Sequence, residues 1–592
     1  MEAVESVALW IGSPDRPLFA WLDLPDSRRV AGVAVVCPSM GLEAAYSTRT
    51  LRHLGRRLAA AGWAALRLDY AATGDSVGTW SDHGLVAEWL GNVRSAIDYA
   101  RALGAPRVAV VGLRLGATLG VSELGRGEAV DDLVLWDPCL SGKAFLREQT
   151  AFAAFRRELA VEWGTGAQGR AEGPEHDNDD AGSVDAPGAV FSAETAADLA
   201  PLEIPRDDRT LATRELVLTR QGRKIARLAQ RLALSHVDAA EIEGQEALFE
   251  EKPVTPEPTL DLIVSWLAEA GGPLVPLALP ERRPFAIHRA AGRSDVQERP
   301  VELGPAHLFG MFTETADGGD AAAPVMIFLN VGLLSHHGPG RLWVELARAC
   351  AAGGAVRCLR IDLSGIGDSP ARPGRREMRD FPLDALEDLD DIRRAAGEGG
   401  AEVMLMGVCS GADMAIETAL ARPVSSLCVI NPALSYVKWG DHASASSAEQ
   451  GAAETADPQT WGATGPLLSR AMARFGRYRR LARWMPTPAW WLVKRWLMTG
   501  TPVRTLEHLA ESGVNVLLVV GSEESLRIYQ GEQHRLSALV AKGDVRFESV
   551  PGLDHSLLER SSHELVVELL RTYVTGRAAH LSGPERGPAL PS

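Results

Sequence analysis

The residue best suited to covalent chemistry in this sequence is Cys409, which lies at the centre of a Gly-x-Cys-x-Gly pattern. The segment "AEVMLM" before it predicts a strand, and "ADMAIETALA" after it predicts a helix. A sharp strand-to-helix turn needs small flanking residues and lifts its central side chain above the sheet. The N-terminus of the following helix favours the thiolate over the thiol. The pattern predicts a cysteine nucleophile; the alternative is a buried, inert cysteine in a glycine-rich turn.

Two later segments supply the groups that such a nucleophile requires. "NVLLVVGSEES" predicts a strand that ends at Gly521 and is followed by Glu523 and Glu524. "RFESVPGLDHSLLER" predicts a strand, a turn that carries His555, and a helix. A histidine base deprotonates the thiol, and a carboxylate holds the imidazole in the right tautomer. We predict a triad of Cys409, His555 and Glu524, with Glu523 as reserve acid; the alternatives are a surface-turn histidine and solvated glutamates.

The chain contains one arrangement of segments twice. "LRLDYAATGDS" corresponds to "LRIDLSGIGDS", and "VGLRLGATL" corresponds to "MGVCSGADM". Asp69 and Asp362 are 293 residues apart, and Arg114 and Cys409 are 295 residues apart. Similarity at a nearly constant spacing through several blocks predicts a tandem duplication.

Each copy alternates short apolar segments with helix-like segments, which predicts an α/β fold of two tandem domains. Each domain is expected to be a doubly wound, mostly parallel sheet with a cap insertion, and its working residues should lie at the carboxyl ends of the strands. The predicted ranges are a degenerate domain over 1–270, a linker over 271–284, a catalytic domain over 285–578 with a lid at about 434–510, and a disordered tail over 579–592.

Both halves resemble the α/β-hydrolase superfamily, in which nucleophile, acid and histidine follow one another in this order. "LRLDYAATGDS", "LRIDLSGIGDS" and "LNVGLLSHHGPGRLW" are similar to bacterial hydrolases of the serine aminopeptidase-like or exosortase-associated kind. The cysteine resembles that of dienelactone hydrolases and polyhydroxyalkanoate synthases, but this similarity rests on the turn alone and transfers no substrate. The resemblance implies an oxyanion hole formed by the backbone N–H of Ser410 and that of Gly332 or Leu333.

Two histidines, His336 and His337, follow shortly after Gly332 and Leu333 in the sequence. They could contact substrate, but a role in loop structure is favoured. The aspartates that both copies share, Asp69 with Asp75 and Asp362 with Asp368, are predicted to form turns.

The first copy lacks all three triad positions. Arg114 stands where the thiol is, Gln221 and Gly222 stand where the glutamates are, and Ala247 is opposite His555. Arginine stays protonated at neutral pH and cannot act as a nucleophile. We therefore predict a pseudo-hydrolase that covers or scaffolds the second copy. A sharper hypothesis is that Arg114 binds an anion, such as a carboxylate or a phosphate.

The composition limits the partners. A formal net charge of −16 on 592 residues disfavours nucleic acid or an anionic membrane as the main partner. Six cysteines without CxxC pairs or zinc spacing predict neither a disulfide framework nor a metal site, and they fit a reducing cytoplasm. The chain start does not have the pattern of a signal peptide, and no apolar run is long enough for a membrane span.

A cysteine thioester reacts with thiols, amines, alcohols and water, and thiol-to-thiol exchange is nearly thermoneutral, so the cysteine favours acyl transfer from a thioester. We predict a cytoplasmic acyltransferase or thioesterase-like enzyme that acts on a small acyl substrate as a coenzyme A or carrier-protein thioester, without cofactors. The alternatives are an ester or lactone hydrolase of the dienelactone-hydrolase type and a non-catalytic scaffold. Residues 466–500 predict an amphipathic lid helix or a docking surface for an acyl chain or carrier. The oligomeric state stays open, with a homodimer as one alternative.

Overall fold

The computed structural model describes residues 4–163, 182–204, 211–220, 237–250, 252–281, 283–289, 294–378, 385–397, 400–432, 502–521, 532–550 and 552–581. We call the described residues up to 281 the N-terminal half and those from 283 the C-terminal half. Each half contains one large mixed sheet.

The N-terminal half contains twelve strands within its described residues. They are β1 (Val4–Ser13), β2 (Arg16–Pro25), β3 (Arg29–Val30), β4 (Val33–Cys37), β5 (Ala64–Leu68), β6 (Val108–Leu113), β7 (Val130–Trp136), β8 (Val184–Ala186), β9 (Ala189–Phe191), β10 (Ala212–Arg220), β11 (Val237–Ile242) and β12 (Val275–Pro276). Its helices are α1 (Leu42–Ala60), α2 (Leu85–Ala102), α3 (Leu115–Leu124), α4 (Gly142–Trp163), α5 (Ala193–Leu199) and α6 (Glu257–Glu269), with a 3-10 turn at Glu246–Phe249.

The described strands of the C-terminal half are β13 (Ala286–His288), β14 (Val296–Leu303), β15 (Leu308–Thr315), β16 (Val325–Phe328), β17 (Arg357–Ile361), β18 (Val403–Val408), β19 (Ser426–Ile430), β20 (Asn515–Val520) and β21 (Val545–Ser549). Its helices are α7 (Leu342–Ala351), α8 (Ala385–Ala396), α9 (Ser410–Ala421), α10 (Pro502–Glu511), α11 (Gln533–Lys542) and α12 (Arg560–Leu581), with a 3-10 turn at Pro339–Arg341.

The two large sheets have equivalent strand orders. The first runs β1-β2-β5-β4-β6-β7-β10-β11, and the second runs β14-β15-β17-β16-β18-β19-β20-β21 with β13 added at its edge. In both, an antiparallel pair at one edge joins six parallel strands. The predicted α/β class with mostly parallel sheets is confirmed. The order reverses between β4 and β6 and between β16 and β18, and ligands of such sheets bind at this switch point.

The parallel strands are apolar along their whole length because helices cover both faces of each sheet. Every residue of β4, β5, β6, β18 and β19 is buried, including both inward and outward positions. Two apolar cores therefore flank each sheet. None of the described helices is long and apolar enough to cross a membrane.

Three predicted boundaries fall on regular structure. The linker contains β12, which pairs Val275 with Val30, so it packs on the N-terminal half. Helix α10 begins inside the predicted lid, but it buries Val503, Leu506 and Leu509 against the second sheet. Residues 502–510 therefore belong to the helix layer of the sheet. Helix α12 runs into the predicted tail as far as Leu581. The rest of the predicted lid, including 466–500, and tail residues 582–592 lie outside the described residues.

Candidate active site

Cys409 stands at the carboxyl end of β18, directly before helix α9, as the sequence predicts. Its backbone has φ 53° and ψ −119°, a conformation that non-glycine residues rarely adopt and that recurs at functional sites. The flanking glycines are required by close contacts: a Cβ on Gly407 would lie 2.2 Å from the carbonyl oxygen of Gly411, and one on Gly411 would lie 2.5 Å from that of Asn330. The turn therefore holds the thiol above the sheet at the N-terminus of a helix.

No disulfide joins any two of the six cysteines, and Cys409 alone among them is partly exposed. Burial raises the pKa of the Cys37 thiol to about 12, and it also raises the pKa of Cys139 and Cys428. Protonated, buried thiols are poor nucleophiles. A reagent for accessible thiols should therefore modify Cys409 selectively.

The side chain of His555 lies next to that of Cys409. It lies in the turn between β21 and α12, and its Nε2 is 3.2 Å from the Cys409 Sγ. The residues are 146 apart in the sequence. The sequence-based assignment of these two residues to one site agrees with this distance, which is within hydrogen-bonding reach for sulfur.

Two residues that the sequence reasoning missed hold the histidine turn. The Asp554 carboxylate accepts the N–H groups of Leu558 and Glu559 at 3.0 and 3.2 Å and the Ser562 hydroxyl at 2.7 Å. The Asn431 side chain, at the end of β19, donates to the carbonyl of Asp554 at 3.2 Å. A sequence feature that could have pointed to Asn431 is the polar residue followed by proline at this strand end, which is "NP" here and "DP" at the corresponding position of the N-terminal half.

The predicted acids, Glu524 and Glu523, lie outside the described residues. The segment that carries them leaves β20 at Gly521, whose N–H donates to the Asn431 Oδ1 at 2.9 Å. A Cβ on Gly521 would lie 2.2 Å from that of Leu553. The segment therefore starts beside the histidine turn.

Residues 330–338, which contain the predicted second oxyanion donor and which we call the oxyanion loop, lie next to the cysteine turn. Ser410 is the first residue of α9, and its side-chain oxygen accepts the N–H of Gly332 at 2.8 Å. The Leu333 N–H makes no hydrogen bond within the described part of the chain. Of the two predicted second donors, Gly332 is thus engaged by Ser410, and Leu333 keeps its N–H available.

His336 is fully buried in the same loop and lies between two carboxylates. Its Nδ1 is 2.8 Å from Asp362, and its Nε2 is 2.8 Å from Asp75, which belongs to the N-terminal half. Burial by itself would lower the pKa of His336, but the two carboxylates outweigh it and raise the pKa to about 10. His336 is therefore an imidazolium that structures the loop, and it contributes to an interface that the sequence did not reveal.

Groups spaced for a metal ion within the described residues are Asp75–His336–His337 and His336–Asp362–Asp368. Both share His336, whose two ring nitrogens already face carboxylates, and Asp75 also receives the guanidinium of Arg360 at 2.5 Å. These contacts are those of an ion-pair cluster.

The turn at Arg114 has the same backbone as that of Cys409, with φ 54° and ψ −116°. The side chain, however, is buried and faces three carboxylates, those of Glu43, Asp137 and Glu148. An incoming anion would have to displace these partners and meet their charge. This arrangement does not support the hypothesis that Arg114 binds an anion.

The positions of the N-terminal half that correspond to His555 and to the glutamates also lack reactive groups where the structure describes them. Ala247 lies in the 3-10 turn after β11. Beside it, the buried Gln245 accepts the indole N–H of Trp136 at 2.8 Å. Gln221 and Gly222 lie outside the described residues.

One family model matches part of the chain. Residues 333–569, less than half of the chain, match the model of the alpha/beta hydrolase family. This segment, which runs from the oxyanion loop into α12, supports the resemblance to the α/β-hydrolase superfamily. The match does not extend into the N-terminal half, so the tandem duplication stays a prediction. No curated protein sequence matches the chain.

Several solved structures are similar. Est1E from Butyrivibrio proteoclasticus, with ferulic acid bound, is 18% identical, with 44% of this chain and 97% of that chain covered and a TM-score of 0.32. Dienelactone hydrolase from Anabaena variabilis is 14% identical (50% and 99% covered, TM-score 0.28). Carboxylesterase CesB from Bacillus subtilis is 21% identical (47% and 92% covered, TM-score 0.28). These identities are too low to transfer a substrate.

Proposed function

We propose that this chain is an acyltransferase or thioesterase-like enzyme that forms an acyl-thioester on Cys409. The observation that carries the proposal is the 3.2 Å distance between the His555 Nε2 and the Cys409 Sγ, at a strained turn that opens onto a helix N-terminus. A buried structural cysteine needs neither a basic partner nor a backbone held at positive φ.

The proposed reaction has two steps. His555 takes the thiol proton, and the Cys409 sulfur attacks the acyl carbon of a thioester donor; the donor's C–S bond breaks, and its thiolate leaves with a proton from His555. An acceptor thiol, amine, alcohol or water then loses its proton to His555 and attacks the acyl carbon. The Cys409 Sγ is released as leaving group and recovers its proton from the histidine.

We assign the oxyanion hole to the backbone N–H groups of Ser410 and Leu333. Ser410 begins α9, so its N–H is one of those that the helix leaves unpaired. Leu333 is preferred to Gly332 because the Gly332 N–H donates to the Ser410 hydroxyl. The triad acid is assigned to Glu524, with Glu523 in reserve, because their segment leaves Gly521 beside the histidine turn.

The donor is proposed to be a thioester of coenzyme A or of an acyl carrier protein, because exchange between two thiols keeps the bond energy nearly constant. The N-terminal half is proposed to be a non-catalytic hydrolase-like domain over 1–270, joined to a catalytic domain over 285–578. Its Arg114 replaces the nucleophile, and three carboxylates neutralise that cation.

Intact-protein mass spectrometry tests the proposal. The protein is incubated with acyl-CoA donors of different chain length, and the adduct is mapped by peptide digestion. We expect one acyl group on Cys409, and none on a Cys409→Ala variant that unfolds at the same temperature. An adduct elsewhere, or none with any donor, would favour a scaffold or an ester hydrolase over the proposed enzyme. CoA release with and without an added amine or alcohol then separates transfer from hydrolysis.

A further inference from the structure

Arginines of the C-terminal half donate hydrogen bonds to a loop of the N-terminal half, residues 74–78. The Arg341 guanidinium donates to the carbonyls of Gly74, Ser76 and Gly78 at 2.8, 2.6 and 2.8 Å. The Arg348 guanidinium donates to the carbonyl of Asp75 at 2.7 Å. Each of the three guanidinium nitrogens of Arg341 thus donates to the backbone of the other half.

Asp75 is the centre of this contact. Its carboxylate is fully buried, receives Arg360 at 2.5 Å and faces His336 at 2.8 Å. Burial alone would raise the pKa of Asp75, but Arg360 and His336 outweigh it and hold the pKa well below its ordinary range. Asp75 is therefore a buried anion that both cations need as a partner.

His336 connects Asp75 to the oxyanion loop through the Asp362 carboxylate. Its backbone N–H donates to the Asp362 Oδ1 at 2.6 Å, and its ring binds the other oxygen of that carboxylate. The Asn330 side-chain amide donates to Asp362 at 3.0 Å and to the carbonyl of Leu334 at 3.0 Å. The loop segment that holds Leu333 is thus tied at both ends to one carboxylate, which Asp75 reaches through His336.

The equivalent contact on the other side of the interface lacks such a connection. Asp368, which corresponds to Asp75, faces Arg67 at 3.4 Å, as Asp75 faces Arg360. The loop after β4, however, enters α1 at Leu42 and carries no histidine. Among the described residues, only the side with the thiol has the connection from one half into the oxyanion loop.

We propose that Asp75 and His336 are positioning residues for the acyl-transfer reaction, through which the N-terminal half fixes the oxyanion loop of the C-terminal half. This rests on the proposed function, and it gives the half without a triad a specific role at the site. Asp75 acts through His336 and touches no reacting atom.

Two reactions at the same sulfur test this role. Acylation of Cys409 by p-nitrophenyl acetate passes through an oxyanion, whereas alkylation by iodoacetamide displaces iodide and needs only the thiolate. Removing one oxyanion donor from an acyl-transfer enzyme costs about 10²–10³ in rate. For Asp75→Asn we expect acylation to slow by about tenfold or more, and alkylation to stay within about twofold of wild type.

The matched control is Glu377→Gln at the same interface. Glu377 pairs with Arg49, Arg52 and His53 of the N-terminal half, and within the described residues it makes no hydrogen bond or ion pair with the oxyanion loop. Both rates should stay at the wild-type value in this variant. If Asp75→Asn does not fold, the double variant Asp75→Asn/His336→Gln removes one charge of each sign, and the same acylation defect is expected.

Wild-type acylation in a folded Asp75→Asn or double variant would overturn the inference alone. An equal fall of both rates would also overturn it, since the thiol itself would then be disturbed. If the wild type is acylated at a residue other than Cys409, or not at all, the proposed function fails and this inference with it.

Discussion

Substitution of the glycine after the nucleophile turn, Gly411→Ala, should separate stability from activity. A Cβ at this position would lie 2.5 Å from the Asn330 carbonyl oxygen, and real Cβ atoms essentially never approach within 3.0 Å. The carbonyl must therefore move by about 0.5 Å or more. Asn330 begins the oxyanion loop, so this movement is transmitted to the Leu333 N–H.

The magnitude follows from two opposing effects. Overpacking a rigid site costs about 1–3 kcal/mol, whereas alanine gains about 1 kcal/mol over glycine in a helix. The net loss of unfolding free energy should be about 1 kcal/mol. A misplacement of about 1 Å can cost about 10²-fold in rate, so half of that should slow acylation of Cys409 by about tenfold.

The first copy supplies the control. A Cβ on Gly116, the corresponding glycine, would lie 2.2 Å from the Cys37 carbonyl oxygen. Gly116→Ala should lose at least as much unfolding free energy, measured by urea denaturation, and should keep the wild-type acylation rate with p-nitrophenyl acetate. Full activity in Gly411→Ala, or an equal loss of activity in both variants, would refute this reasoning.

Three further predictions concern the thiol, the buried arginine and pH. His555→Ala should slow alkylation of Cys409 by iodoacetamide at pH 7 by about tenfold or more, because the thiolate loses its basic partner; an unchanged rate would contradict the proposed pair. Arg114→Met should lower the unfolding free energy by about 3–5 kcal/mol, because the substitution removes the cation that neutralises the surrounding carboxylates. Acylation of Cys409 should persist below the melting temperature, and an unchanged urea midpoint would contradict this prediction. In the folded protein the pKa of His336 is raised to about 10, above its ordinary value of about 6.5. The stabilisation that protonated His336 adds to the free energy of unfolding is therefore complete below about pH 6.5 and is lost as the pH rises towards 10. Unfolding free energies at pH 7, 8 and 9 should fall by about 1 kcal/mol per unit, and a flat profile would count against a charged His336.

Local patterns were sufficient to predict the turn at Cys409. Glycine is needed on both sides of the cysteine because atoms of neighbouring chain segments leave no room for a Cβ, and this requirement appears directly in the sequence. The apolar strands of the parallel part of each sheet were likewise predictable, since burial on both faces excludes polar residues, but their order in the sheet was not predicted. The pairing of Cys409 with His555 followed from the chain order of nucleophile and base.

Contacts between distant polar side chains were not predictable. His336 and Asp75 are 261 residues apart, and each looks locally like a loop or turn residue. The carboxylates around Arg114 come from α1, the end of β7 and α4. The sequence therefore suggested a cation able to bind an anion, whereas in the structure these carboxylates neutralise it. The engagement of Gly332 by the Ser410 hydroxyl also depends on how two loops meet.

The α/β class and the glycine-flanked turn at Cys409 could be predicted from the sequence, because they depend on hydrophobic periodicity and on local sterics. Which charged side chains of the two halves meet could be read only from the folded molecule, because the packing of the two sheets sets the partners of buried charges. In the folded molecule, Asp75 of the N-terminal half contacts His336 in the loop of the C-terminal half that holds Leu333.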